Sequence, residues 1–129
     1  MKKSVVFVIV AALLPPLAPV QAQTQAAPKQ LSGRWTIASL GRSNLFSIDD
    51  IVVAQDQSFT AKLTWWTIDP KCKLHKEPLT GRLTDTSLTF DATTKCDVSF
   101  AAELNRAEKG WVGKATVKSS GLLVDMKAD

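Results

Sequence analysis

Ser58-Phe59-Thr60-Ala61-Lys62-Leu63-Thr64-Trp65-Trp66-Thr67-Ile68 is the stretch on which the fold turns. Phe59, Ala61, Leu63 and Trp65 alternate with Thr60, Lys62, Thr64 and Trp66. That period of two gives a strand one dry face and one wet face. The same alternation returns at Val98, Phe100, Ala102 and Leu104, and again at Trp111, Gly113, Ala115 and Val117. Thr, Val, Phe and Trp, which suit a pleated surface, are frequent in these runs.

Turn chemistry punctuates the chain at regular intervals. Breaks fall at Gly41–Asn44, Gln55–Gln57, Asp69–Lys71, Asp85–Ser87, Thr93–Lys95, Glu108–Gly110 and Ser119–Gly121. Seven breaks imply about eight strands, and short connections make sequential strands antiparallel neighbours. Two further strands are read at Leu79–Thr84 and Leu88–Ala92, and one helical turn is expected around Asn105–Lys109. The fold class is therefore all-β: an eight-stranded antiparallel meander over residues 31–129, closed into a small barrel because closure removes both edges. A β-sandwich of the same strands is the alternative. Trp35, Phe59, Leu63, Trp65, Phe90, Phe100 and Trp111 are the candidate interior. Rings of that size predict a packed barrel, or a shallow cavity at one mouth, in preference to a deep pocket.

The N-terminus reads as an export signal. Lys2 and Lys3 precede an apolar run of ten, Val5–Leu14, then Pro15 and Pro16, and small residues stand at Val20 and Ala22. Spanning a bilayer takes about 20 apolar residues, so a membrane anchor is not expected. Cleavage after Ala22 takes 22 of 129 residues and leaves 107, one domain. It also takes two of the 16 basic residues, leaving 14 against 12 acidic ones and a formal +2. Residues 23–30 (QTQAAPKQ) are polar and Ala-rich and read as a flexible leader.

Cys72 and Cys96 are the only cysteines. In an exported protein two cysteines most often pair. Such a staple would stabilise a domain of this size by roughly 3 kcal/mol. A metal site would have only His75 to add to the two thiols, short of the four ligands zinc takes. No metal and no cofactor are expected.

Catalytic candidates are few. Asp49 and Asp50 are adjacent, so on a regular strand they point to opposite faces. His75, the single histidine, has no evident nucleophile beside it. Basic residues are scattered without a recognisable nucleic-acid module. Neither an enzyme nor a nucleic-acid binder is expected.

Binding has better candidates. If Trp65 faces the core, Trp66 and Ile68 face water, and exposed large apolar groups held together mark contact surfaces. The segment 69–78 (DPKCKLHKEP) reads as the longest structureless connection. Pinned by a disulfide, it could present Lys71, Lys73, His75 and Lys76 to an acidic partner.

Leu31-Ser32-Gly33-Arg34-Trp35-Thr36 resembles the opening of the calycin barrels: lipocalins, avidins and small bacterial metalloprotease inhibitors. The resemblance rests on Gly33-x-Trp35 and implies a Trp that caps one end of the barrel. An avidin would carry an asparagine where Ile37 stands, so biotin binding is not implied. Similarity to the inhibitors implies that the leader would enter a protease cleft, although the cysteines fall elsewhere. The expectation is an exported, non-enzymatic binding protein, either a module that binds a protein or inhibits an exported hydrolase or a carrier of a small apolar or amphipathic ligand in the barrel mouth.

Overall fold

The computed structural model describes residues 27–129. The export signal and residues 23–26 of the leader lie outside the described residues. Alternation builds eight strands: β1 (Leu31–Ile37), β2 (Arg42–Val53), β3 (Ser58–Trp65), β4 (Leu74–Leu83), β5 (Ser87–Thr93), β6 (Ser99–Ala107), β7 (Gly110–Val117) and β8 (Leu123–Ala128). Each pairs antiparallel with the next, and β8 pairs back onto β1 to close a barrel. The sandwich alternative is thereby set aside.

Closure demands close approach of neighbouring backbones. A side chain at the inward position Gly33 would collide with the Lys127 carbonyl of β8, and one at Gly113 with the Glu103 carbonyl of β6. Glycine at bends of this kind lets a sheet curl tightly enough to close. A bulge between Asp49 and Val52 bends β2, with Asp50 at a φ of 56°. It breaks the strict alternation expected there: Ile51 turns into the core and Val52 out.

Aromatic rings fill the barrel. Trp35 stacks on Trp65 at 5.7 Å, Phe46 and Phe100 flank Trp65 at 5.6 and 4.6 Å, and Phe90 meets Phe100 edge-on. The Trp35 indole N–H donates to the Trp66 carbonyl at 2.8 Å, so its polar edge is satisfied inside the wall. Trp111 closes the opposite end under the Arg106 guanidinium, which sits 4.5 Å above the ring. Phe59 and Leu63 complete the interior between these groups, and all seven candidate interior residues are buried.

Four readings are corrected. The segment 69–78 is not a loop throughout: only residues up to Lys73 connect, and β4 begins at Leu74, which is buried. Its hydrophilic outward residues and Pro78 disguise a strand that pairs with β3 along most of its length. No helix forms at Asn105–Lys109, because β6 runs to Ala107 and Ala107 pairs with Gly110 across a tight hairpin. The first break lies earlier, at Ala38–Gly41, where a 3-10 turn ends on Gly41 at a φ of 62°. Val98 is not an inward strand residue but an exposed one in the turn before β6.

Candidate partner-binding surface

Bonds from β1 and β2 to the backbone just beyond β3 hold Trp66 outward. Its N–H donates to the Leu45 carbonyl at 3.0 Å, while its own carbonyl accepts the Trp35 indole. With the backbone held on both sides and Trp65 turned in, the Trp66 ring has only the outer face, where it is 42% exposed. Ile68 follows at 56%.

The connection beyond them is ordered by short-range bonds. Thr67 Oγ1 donates to the Asp69 carbonyl, the Asp69 carboxylate accepts the Lys71 N–H at 3.0 Å, and Pro70–Cys72 form a 3-10 turn. Cys72 is bonded to Cys96, and the Lys95 N–H donates to the Cys72 carbonyl at 3.2 Å. That staple joins two chain segments where the sheet itself does not, because β4 and β5 pair only over Gly81–Leu83 and Leu88–Phe90. A Lys95–Glu77 ion pair at 3.3 Å spans the same opening. Held this way, Lys73 lays its ammonium 3.5 Å over the Trp66 ring. A cation so placed stabilises an exposed ring by about 0.5–1 kcal/mol.

The sequence candidates therefore divide. Trp66 and Lys73 are in contact, with Ile68 on the connection between them. Lys71 and His75 are exposed. Lys76 is drawn to the Asp49 carboxylate at 3.7 Å, and its N–H donates to Thr64 Oγ1.

Sequence reading missed Leu45, which is 48% exposed and lies beside Trp66 in a surface groove of about 750 Å³ along β1, β2 and β8. Its position between inward Phe46 and the turn was the available signal. A second groove, of about 860 Å³, runs over the outer wall of β4–β7. Near the opposite end, residues 27–30 cross beside β2, where the Lys29 carbonyl accepts the Ile51 N–H. Ala27 and Pro28 line a small cleft there with Val53, Leu83 and Arg106.

Asp56, in the β2–β3 turn, is held below the usual carboxylate range by the Ser58 hydroxyl and the Ser58 N–H. Among the described residues no three His, Cys, Asp or Glu side chains gather as a metal site would require, and no helix is long and apolar enough to cross a membrane. Compared with known proteins, the chain matches no family model, no curated protein and no solved structure at a significant level.

Proposed function

We propose that this chain is an exported calycin-type barrel that acts by binding a protein partner through the Trp66 face, an exported hydrolase being the class of partner envisaged. A closed eight-stranded meander behind a Gly33-x-Trp35 opening supports the calycin reading. The Cys72–Cys96 bond fits a compartment that oxidises thiols.

One observation carries the choice of a protein partner over an interior ligand. The mouth at the disulfide end is occupied by the Trp35–Trp65–Phe100 stack, while Trp66 is turned outward and held beneath Lys73. Large apolar side chains fixed in water in this manner are the anchors of interfaces.

Native mass spectrometry of the protein purified gently from its own host tests the reading. The expected result is a co-purifying protein that is lost in Trp66→Ala while the melting temperature stays near that of wild type. A co-purifying small molecule, unaffected by that substitution, would overturn it and favour a carrier.

A further inference from the structure

The groove beside Trp66 has an unusual charge arrangement. Across the outer wall, Trp66 neighbours Leu45, Leu45 faces Arg34, Arg34 faces Lys127, and Lys127 faces Val112, each on the next strand. Arg34 and Lys127 are thus like charges directly opposite on β1 and β8, a pairing that destabilises a sheet. Neither forms an ion pair among the described residues; Arg34 only donates to Ser43 Oγ at 3.1 Å. Two positions along β8 the wall does the opposite, setting Asp125 against Lys114 of β7 at 2.6 Å. Lys109 also lines the groove, so three cations there face one acid, Asp129. Leu45 and Trp66 flank the cations on one side and Val112, 44% exposed, on the other.

We infer that this row is a recognition strip for an acidic, extended peptide segment of the partner, with apolar residues bracketing two carboxylates at alternate positions, which share one face of the segment. The inference rests on the protein-binding reading above and adds the chemistry of what is bound. Neighbouring strands are about 4.8 Å apart, so Trp66 to Val112 spans about 19 Å, the length of roughly six extended residues. Apolar side chains at the ends of such a segment would meet Trp66 with Leu45 and Val112. Carboxylates at its centre would neutralise Arg34 and Lys127, replacing repulsion in the free protein with attraction in the complex.

The probe is a fluorescent heptapeptide with phenylalanine first, glutamates third and fifth, and leucine last, so that all four side chains share one face, compared with its glutamine counterpart. Wild type should bind the glutamate peptide about tenfold more tightly, the combined effect of two exposed ion pairs, and the preference should fade with added salt. Arg34→Ser with Lys127→Ser should abolish the preference while leaving the melting temperature equal or higher, since it removes a repulsive pair. That combination separates recognition from structure, because a structural pair would lower the melting temperature on removal. Equal binding of the two peptides, a loss of stability in the double variant, or association with phosphatidylglycerol vesicles in place of the peptide would each overturn the inference. The broader reading is judged separately by the effect of Trp66→Ala on the natural partner: its survival beside a failed peptide test would leave a protein-binding face that does not read acid.

Discussion

Trp65 and Trp66 stand next to each other in the chain and end in opposite surroundings. Trp65 lies among Trp35, Phe46 and Phe100, 5% exposed, while Trp66 shows 42% of its surface and carries a lysine on its face. The chemistry is the same; one step along a pleated strand separates them. The difference teaches where stability and recognition reside. The inner ring belongs to a stack that closes the barrel, and the outer ring belongs to a half-exposed row on the outer wall, with Lys73 over its face.

Removing the inner ring should break the molecule first. Trp65→Ala leaves a cavity among three aromatic side chains and should lower unfolding free energy by about 3–5 kcal/mol, measured by denaturant titration. Replacing Cys72 and Cys96 together by serine should lower it by roughly 3 kcal/mol. It should also loosen Lys73 from Trp66, visible as a change in tryptophan fluorescence, because the staple is what sets the connection against the wall. Trp66→Ala should lower stability by no more than about 1 kcal/mol, the scale of an exposed cation–π contact. A loss as large as that of Trp65→Ala would erase the contrast and return Trp66 to the core.

The smallest effect belongs to Asp56. Its depressed carboxyl value in the folded state means that the ionised form supports the fold above the unfolded value of about 3.9 and that this support fades as the pH falls through the lower folded one. Asp56→Asn should therefore differ slightly from wild type at neutral pH and converge with it in acid. Divergence in acid instead would mean that the Ser58 bonds do not hold the carboxylate.

Much of the barrel was legible from alternation, because one dry face and one wet face leave a local trace in every strand. The trace failed at β4. Its outward residues Lys76 and Pro78 sit in a stretch that pairs with β3 but not with β5, an edge-like setting that tolerates charge and proline. Composition alone could not distinguish that setting from a loop. At Asn105–Lys109 a two-residue turn between long strands left too few apolar positions for a period to register.

Outward exposure of Trp66 and Ile68, and the pairing of the two cysteines, followed from local pattern and residue type. In β3, in β6 from Phe100 and in β7, the sequence by itself determined which side chains face in and which face out, since strand alternation is a property of consecutive residues. The tertiary structure alone decided that Arg34, near one end of the described chain, faces Lys127, near the other. That juxtaposition depends on β8 closing against β1 in a particular register, and register between strands so distant in sequence is set by the packing of the whole interior, not by either strand.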